Sequence, residues 1–378
     1  VRCKGFSTNW RFSDIAIEIG LILYLMSVEI TIEKTQNSRI DQFDPENIGF
    51  GKIFTDHMFL ADWDGTSWTN PRIVPYGRLS LSPATSAIHY GQSIFEGMKA
   101  FVNKKTGKPM LFRPRENARR LNRSAERMVM PTVPENLFMD GLKKLIALDS
   151  AWIPNTDGGS LYIRPFMFAT DDFIGVKPSE HYIFAIFCCP VGPYYTKALK
   201  VKVEEEFSRA APGGVGFTKC AGNYGGAMYP TLQAQKVGYD QVLWTDPLTH
   251  TLVEETGTTN LFAVFENEIV TPALGNTLLS GITRDSVIKG LTHLGYPVTE
   301  RNLSVNELKE QLHSGTLKEI FITGTAATLM KIQGFGHQGT YFEVLDQGNT
   351  AVSDSIKNWL DAVRLGESED VFEWNESV

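Results

Sequence analysis

Lys219 is the residue of this 378-residue chain whose surroundings most favour a chemical role. It lies among small and apolar residues, between Phe217-Thr218 and Cys220-Ala221-Gly222, with no other charged residue beside it. Such surroundings remove water from an ammonium group and so favour the neutral amine that a nucleophilic or Schiff-base lysine requires. A lysine in a Gly-rich loop is also commonly a solvated surface group, so this segment alone leaves both interpretations open.

Two acids, Glu254 and Glu255, precede a run of hydroxyl and amide side chains from Thr256 to Asn260, between segments that are typical of strands. A carboxylate beside a pyridine nitrogen keeps that nitrogen protonated, which is the arrangement that a pyridine-ring cofactor needs to take up electrons. A turn stabilised by Asx and Ser/Thr side chains is the alternative interpretation.

Two further segments could hold anions. Gly281 precedes a predicted helix whose first amides, together with the Thr283 hydroxyl, could hold a phosphate at the positive end of the helix dipole. The loop Gly324-Thr325-Ala326 offers a similar close approach for a second anion. A glycine before a helix is common, so neither segment is specific by itself.

Arg164 stands in a predicted strand over residues 160–168. Alternation places it on one face with three aromatic residues, Tyr162, Phe166 and Phe168. An arginine among aromatic rings on an interior face requires an anionic partner. A structural ion pair at a sheet edge, which Pro165 would permit, is equally compatible with the spacing.

The elements around these residues alternate between strand and helix patterns, which predicts a mixed α/β (α+β) protein. Ser304 with Glu307 forms a capping box at the start of one helix. The other predicted elements are strands at 58–63, 95–101, 200–206 and 319–323, helices at 114–130, 134–148, after Asn223, from Gly281 and at 353–364, and hairpins within 240–271.

Composition excludes several classes of protein. Lys and Arg total 36 against 43 Asp and Glu, a net charge of -7, and no basic field exists to bind nucleic acid or an acidic membrane. The four cysteines contain no CxxC pair and form no disulfide framework, which favours a reducing, cytoplasmic location. The seven histidines show no metal-ligand spacing, so no metal site is expected.

The chain is long enough for two domains. The segment 190–195 is rich in Pro, Gly and Tyr, which is typical of a loop, and we predict the domain boundary there. We expect an extension outside the fold at 1–30, a small N-terminal α/β domain at 31–190, a linker at 191–198 and a large C-terminal domain at 199–378. The apolar run at 15–26 is interrupted by Glu18 and is too short to span a bilayer.

A longer string of residues resembles the branched-chain amino acid aminotransferases, pyridoxal-phosphate enzymes of fold type IV. The string is Glu255, Asn260-Leu261-Phe262, Val270-Thr271 and Leu279-x-Gly281-Ile282-x-Arg284, in the order and spacing of that family. The resemblance extends from about Phe50 to the last helix. It implies a smaller N-terminal α/β domain and a larger C-terminal domain with a barrel-like sheet.

The resemblance also implies roles for individual residues toward pyridoxal 5′-phosphate. Lys219 would be the catalytic residue, forming the Schiff base and carrying the proton. Glu255 would pair with the pyridine nitrogen, Tyr224 would bond the phenolic oxygen, and Thr258 would lie beside the cofactor. The residues that the resemblance assigns to the phosphate are Arg113, Ile282, Thr283 and Thr325.

For substrate binding, the resemblance implies a pocket of Tyr90, Phe95, Tyr162 and Arg164, with Thr325 and Ala326 meeting the α-carboxylate. An apolar aromatic pocket suits Leu, Ile and Val, while one arginine can bind the second carboxylate of glutamate. The implied reaction is ping-pong transamination of these amino acids with 2-oxoglutarate, by a homodimer.

Other functions remain as alternatives. Within the same fold type, the alternatives are a D-amino acid transaminase and an aminodeoxychorismate lyase. In another class, the alternative is a non-catalytic protein that retained the fold, which the presence of Lys219 disfavours.

Mammalian members of the family carry a CxxC pair shortly after the Gly-Thr-Ala loop. This chain has Ala327 and Met330 there, so thiol regulation at that place is not expected.

Overall fold

The computed structural model describes residues 28–45, 47–192, 197–326, 328–345 and 351–378. Residues 1–27, which make up most of the predicted extension, and residues 193–196 of the predicted linker lie outside this described part. The strands are β1 Thr31–Ile32, β2 His57–Trp63, β3 Trp68–Pro75, β4 Ser93–Phe95, β5 Met98–Val102, β6 Pro109–Phe112, β7 Ser160–Ala169, β8 Tyr182–Val191, β9 Leu199–Val203, β10 Gln241–Thr245, β11 Val253–Thr256, β12 Asn260–Phe265, β13 Ile269–Thr271, β14 Val298–Glu300, β15 Leu317–Gly324, β16 Thr328–His337, β17 Thr340–Glu343 and β18 Asn375–Ser377. The helices are α1 Ser86–Tyr90, α2 Pro114–Arg127, α3 Glu135–Leu148, α4 Ala221–Lys236, α5 Ile282–His293, α6 Val305–His313 and α7 Ala351–Arg364.

The first sheet has the strand order β1-β3-β2-β8-β7-β5-β6-β18, with β4 paired to β7. Its pairs are antiparallel except β1 with β3, and the long strands β7 and β8 form its centre. Helices α2 and α3 cover one face. Their apolar residues, among them Leu121, Leu142 and Phe138, join a core with Phe59 and Phe184 of the sheet.

The second sheet closes on itself. The order β11-β10-β9-β16-β15-β12 is completed by a pairing between β11 and β12, so these six described strands form a barrel. Alternate residues such as Val201, Leu261 and Ile322 belong to one core, while Phe262 and Phe321 belong to another. This alternation matches the period of two that a strand imposes on its side chains.

Helices α5 and α7 pack against the outer face of the barrel. Val287 and Leu291 of α5, with Ile356 and Leu360 of α7, share a core with the stacked rings of Phe262 and Phe321. The chain then returns to the first sheet, where β18 pairs antiparallel with β6. The first sheet therefore contains strands from both ends of the described chain.

The structure confirms the mixed α/β class and the barrel-like second sheet. Helix α2 begins at Pro114, α5 begins directly after Gly281, and Ser304 caps α6 by accepting the N–H of Glu307 at 2.9 Å. Among the described residues, no helix is both long enough and apolar enough to cross a membrane.

Candidate active site

Lys219 is anchored through its backbone from two directions. Its carbonyl accepts the N–H of Phe95, at the end of β4, over 3.1 Å. Its own N–H donates to the Ser124 hydroxyl of α2 over 3.0 Å. Since α4 begins two residues later, Lys219 lies at the junction of a strand, a helix start and a second helix. The backbone is fixed there, and only the side chain is free to act.

The amine of Lys219 lies among aromatic groups. Its Nζ donates to the hydroxyl oxygen of Tyr224 over 2.8 Å and lies 4.7 Å from the centre of the Phe95 ring. The rings of Phe95 and Tyr224 are themselves 4.8 Å apart. The amine therefore has one polar partner on this side and apolar surface around it, which limits its hydration.

The side chain of Lys219 lines a cavity of about 570 Å³. The cavity is large enough for a small substrate beside a ring-shaped cofactor. One part of its wall is aromatic and the other carries hydroxyl groups. The lining residues are Phe50, Ser93, Phe95, Gly97, Tyr162, Arg164, Phe166, Phe187, Leu199, Lys219, Ala221, Tyr224, Gln241, Thr256, Thr258, Thr259, Ile322, Gly324, Thr325, Ala326 and Met330.

Glu255 lies where the barrel closes, paired in register with Asn260. The Asn260 amide donates to Glu255 Oε2 over 3.1 Å, and the Arg209 guanidinium lies 2.8 Å from Oε1, outside hydrogen-bonding alignment. Burial raises the pKa of Glu255 to about 7, against the opposing effect of Arg209. A buried carboxyl with this pKa favours a further cationic partner at Oε1.

A smaller cavity connects these groups to the start of α5. It is lined by Lys219, Glu255, Thr258, Ile282 and Thr283, among others, and it shares Lys219, Tyr224, Thr258, Gly324 and Thr325 with the larger cavity. Gly281 caps α5 with no side-chain hydrogen bond. The first N–H groups of the helix, which have no carbonyl partner within it, make this end an anion site.

Besides Arg209, which pairs with Glu255, a second arginine lines this smaller cavity, Arg120. It is 4 % exposed, donates to the Ser280 carbonyl over 3.1 Å, and forms a two-bond ion pair with the buried Glu96 at 2.8 Å on each bond. Two further N–H bonds of the guanidinium, one on each terminal nitrogen, remain for an anion at the helix start.

The structure places Arg113 elsewhere. Its backbone is left-handed, with φ of 52°, and it occupies the position before α2. Its guanidinium pairs with Asp285 at 2.6 Å, donates to Ser286 Oγ over 2.8 Å and is not part of the lining of either cavity. Arg113 therefore contacts the side of α5 and not its N-terminal amides, which differs from the role that the resemblance implies.

Tyr162 and Arg164 stand together on β7, as alternation predicts. Arg164 donates to the Tyr162 hydroxyl over 2.7 Å, and its guanidinium lies 4.6 Å from the centre of the Phe95 ring. The buried Nε of Arg164 has no hydrogen-bond partner among the described residues. Gly97 leaves room for them, because a Cβ there would overlap the Tyr162 hydroxyl oxygen.

The loop after β15 faces the same cavity. Thr325 and Ala326 line it, and the Thr325 hydroxyl donates to the Gly97 carbonyl over 3.1 Å. Thr258 lies in the wall of both cavities. The predicted residues that the structure brings together are Phe95, Tyr162, Arg164, Lys219, Tyr224, Glu255, Thr258, Ile282, Thr283, Thr325 and Ala326.

Tyr90 is not brought to this site within the described chain. It ends α1, is 39 % exposed and contacts the ring of His89 at 6.1 Å. It is not a lining residue of the larger cavity.

Sequence reasoning missed Arg120 and Arg209. A signal existed for Arg120, because Asn117, Arg120 and Ser124 recur at helical spacing next to the apolar stripe of α2, and all three are buried. Arg209 lies in an irregular segment, where no periodicity indicates that its side chain turns inward to Glu255.

The donor set fits pyridoxal phosphate. The Lys219 amine can meet an aldehyde, the Glu255 carboxyl can meet a protonated pyridine nitrogen, and the start of α5 with Arg120 can meet a phosphate. No group of His, Cys, Asp and Glu suited to a metal ion occurs among the described residues.

Comparison with known proteins agrees with this donor set. The family described as amino-transferase class IV matches residues 93–335. The chain belongs to the class IV aminotransferases. Lys219 and Glu255, which line one cavity, both lie within the matched segment.

Two bacterial relatives extend the similarity beyond the matched segment. Branched-chain-amino-acid transaminase 1 of Bacillus subtilis is 43 % identical over 340 residues, covering 89 % of this class IV aminotransferase and 95 % of the relative. The branched-chain-amino-acid aminotransferase of Mycolicibacterium smegmatis is 37 % identical over 359 residues, covering 92 % and 97 %. The similarity therefore includes nearly the full length of both relatives.

Solved structures give the same fold. The branched-chain amino acid aminotransferase from Escherichia coli superposes with a TM-score of 0.69 at 26 % identity, covering 85 % of this chain and 98 % of that one. The enzyme from Thermoproteus uzoniensis superposes with a TM-score of 0.71 at 23 % identity, covering 85 % and 99 %. The class IV aminotransferase described here therefore has the fold type IV architecture.

Proposed function

We propose that the protein transfers the amino group of L-leucine, L-isoleucine or L-valine to 2-oxoglutarate, with pyridoxal 5′-phosphate as its cofactor and Lys219 as its catalytic residue. The products are the branched-chain 2-oxo acids and L-glutamate. The names of the bacterial relatives support this substrate class. Both half-reactions would use one cavity in turn.

One observation carries the proposal. The Lys219 amine, held by Tyr224 at 2.8 Å, shares a cavity with the buried carboxyl of Glu255 and the N-terminal end of α5. An amine, an acid for a ring nitrogen and an anion site in one enclosed space match the three functional groups of this cofactor. When bound, pyridoxal phosphate supplies a carbonyl for the amine and a ring that takes up the electrons released at the substrate Cα.

The residues of this chain then have separate tasks. Glu255 keeps a proton on the pyridine nitrogen, and Arg209 with Asn260 keeps Glu255 in place. The Lys219 Nζ would take the proton from the substrate Cα as a general base and would deliver it as a general acid to C4′ of the cofactor. The Tyr224 hydroxyl orients this amine and donates to the phenolic oxygen of the cofactor.

The walls of the cavity support the choice of substrates. Phe95, Tyr162 and Phe166 offer apolar surface for a branched side chain. Arg164, at the same wall, has an unpaired Nε to meet the second carboxylate of glutamate or 2-oxoglutarate. Thr325 and Ala326 lie where the α-carboxylate common to all these substrates would bind.

A visible absorption spectrum of the purified protein tests the proposal. We expect a Schiff-base band that shifts when L-leucine is added and returns with 2-oxoglutarate. A colourless protein that pyridoxal phosphate cannot reconstitute would reject it. Activity on D-alanine without activity on L-leucine would instead favour the D-amino acid transaminase alternative.

We also propose a homodimer. Helix α4, which follows Lys219, exposes Met228 at 69 %, Tyr229 at 58 % and Leu232 at 50 %. A contiguous apolar helix face is typical of a protein interface. Sedimentation should give twice the chain mass, and Leu232→Asp should shift the protein toward the monomer. A monomeric wild type would contradict the proposal.

Three free cysteines support a cytoplasmic location. Cys188, Cys189 and Cys220 are buried and unpaired, as is usual in a reducing compartment. Cell fractionation with periplasmic and membrane markers would test this placement, and recovery outside the cytoplasmic fraction would contradict it.

A further inference from the structure

A second cavity of about 210 Å³ lies behind the loop that carries Thr325 and Ala326. Of the residues that the structure describes, Ala326 alone belongs to the walls of both this cavity and the larger one. The second cavity is formed by the strand of Lys99, the hairpin after it, the 156–160 segment and the end of α7. Its lining residues are Lys99, Phe101, Lys104, Thr156, Asp157, Gly158, Gly159, Ser160, Gly192, Ala326, Thr328, Leu329, Lys357, Asp361, Arg364 and Leu365.

Positive charge dominates this wall. The cavity is lined by four basic residues and two acidic ones. The basic residues are Lys99, Lys104, Lys357 and Arg364, and the acidic residues are Asp157 and Asp361. One carboxylate is shared by two of the cations, because Asp361 pairs with Lys357 at 2.8 Å and, at the longer distance of 3.8 Å, with Arg364. Lys104 bonds the neutral side chain of Asn155.

The buried guanidinium of Arg364 is the main evidence for an anion in this cavity. It is 4 % exposed, and its Nε and Nη1 have no hydrogen-bond partner among the described residues. Its guanidinium packs 4.6 Å from the centre of the Phe112 ring, which holds the group in place without satisfying its donors. A guanidinium does not neutralise itself by losing a proton, so its burial costs free energy unless an anion or water accepts these bonds.

Two further hydrogen-bond donors, on Ser160 and Lys99, line the same cavity. The Ser160 hydroxyl is 1 % exposed and has no partner among the described residues. Lys99 donates one bond, to the Ala326 carbonyl over 3.0 Å, and an ammonium carries three N–H groups. Burial, with the charge of Arg364, lowers the pKa of Lys99 to about 7. An anion between these groups would stabilise the charged form of both.

We propose that this second cavity binds a small dianion, held by Arg364, Lys99 and Ser160. The volume equals about seven water molecules at ~30 Å³ each, which suits a phosphate group or a short dicarboxylate. Charge-assisted bonds from Arg364 would supply most of the affinity. The site shares Ala326 with the loop assigned to the substrate α-carboxylate, and its existence does not depend on that assignment.

Titration calorimetry of the holoenzyme tests the site, because the bound cofactor then occupies the phosphate position beside α5. Inorganic phosphate and malonate would be titrated separately at constant ionic strength, up to about 10 mM, so that a millimolar Kd is detected. Saturable binding of phosphate alone indicates a phosphate-bearing ligand. Saturable binding of malonate alone indicates a dicarboxylate.

The variant Arg364→Met keeps the volume and removes the charge. We expect it to weaken binding at least about tenfold, the effect of losing one charge-assisted bond. The matched control Arg119→Met removes an exposed arginine of α2 and should leave Kd unchanged. Absence of saturable binding, or equal binding by Arg364→Met, overturns the proposal, whatever the enzyme's substrate.

A structural measurement covers the case in which Arg364→Met does not fold. Wild-type holoenzyme crystals would be soaked in selenate, a dianion with an anomalous signal. We expect a peak within hydrogen-bond reach of Arg364 and Ser160. Crystals with selenate only at other positions, or with none bound, would overturn the site.

Discussion

The amine of Lys219 and the hydroxyl of Tyr224 are joined by a 2.8 Å hydrogen bond across the start of α4. The two residues are five positions apart, and Lys219 lies outside the helix while Tyr224 lies in its first turn. The bond therefore links a residue fixed by the first sheet, through Phe95, to the helix that follows.

Lys219→Ala should abolish turnover, with a loss of about 10⁴-fold or more, because no other lysine of the described residues lines either cavity of the site. Tyr224→Phe should lower kcat by about 10- to 100-fold, the effect of one hydrogen bond to a charged group, and should move the pH at which the visible band titrates. Stopped-flow half-reactions with L-leucine measure both. Retained turnover in Lys219→Ala would place the catalytic amine elsewhere.

Glu255→Gln should lower kcat by on the order of 10²-fold while cofactor binding is largely kept, since the carboxylate acts on the ring nitrogen. Glu254→Gln is the matched control. Its carboxyl bonds the Thr277 hydroxyl at 2.5 Å, and it lines neither cavity of the site. Equal effects of the two variants would contradict the role of Glu255.

Arg120, rather than Arg113, should govern cofactor retention. Replacing Arg120 alone would leave the buried Glu96 without its ion-pair partner, so the test uses Glu96→Gln with Arg120→Gln. We expect the Kd for pyridoxal phosphate to rise about 10- to 100-fold. Arg113→Gln and Glu96→Gln alone are the controls, and a larger effect in Arg113→Gln would restore the role that the family resemblance implies.

Arg164→Met should change the KM values for 2-oxoglutarate and L-leucine by different factors. Loss of a charge-assisted bond should raise KM for 2-oxoglutarate about tenfold or more, with a smaller change for L-leucine, which has no second carboxylate. Steady-state kinetics in both directions measure this difference. Equal changes for both substrates would assign Arg164 to the common α-carboxylate instead.

The free energy of unfolding should depend on pH because of Lys99. Its pKa is about 7 in the folded protein, because of burial and the charge of Arg364, and about 10.4 in the unfolded chain. Between these values the unfolded chain binds more protons, so stability rises with pH, by at most about 1.4 kcal/mol per pH unit. Urea unfolding from pH 6 to 10 measures the effect.

Lys99→Met removes this titration. The variant should therefore be more stable relative to the wild type at pH 6 than at pH 10. A difference that stays constant across this range would show that Lys99 keeps an ordinary pKa.

Local sequence predicts the parts of the site that depend on local structure. The start of α5 is predicted by a glycine, Gly281, directly before a helical pattern. The shared face of Tyr162 and Arg164 is predicted by alternation along one strand. The closure of the barrel does not, because it needs β9 to pair in parallel with β16, more than 120 residues away. Such pairings depend on the packing of the whole core.

The arginines illustrate the same limit. Arg113 lies directly before α2 and Arg120 lies near its middle, and spacing alone does not tell which one reaches the anion site. The left-handed backbone at Arg113 directs its side chain to Asp285, while helical geometry directs Arg120 inward. Tyr90 remains a prediction for a substrate contact, since a residue exposed on one chain reaches the cavity only if a second chain brings it there.

The pairing of β18 with β6 has a consequence for biogenesis. Asn375 to Ser377 complete a sheet whose other strands end by Val191, so that sheet stays one strand short until nearly two hundred further residues have been synthesised. During translation, the edge of β6 is open and able to pair with another nascent chain. A ribosome-associated chaperone, or rapid folding of the barrel, would shorten this exposure.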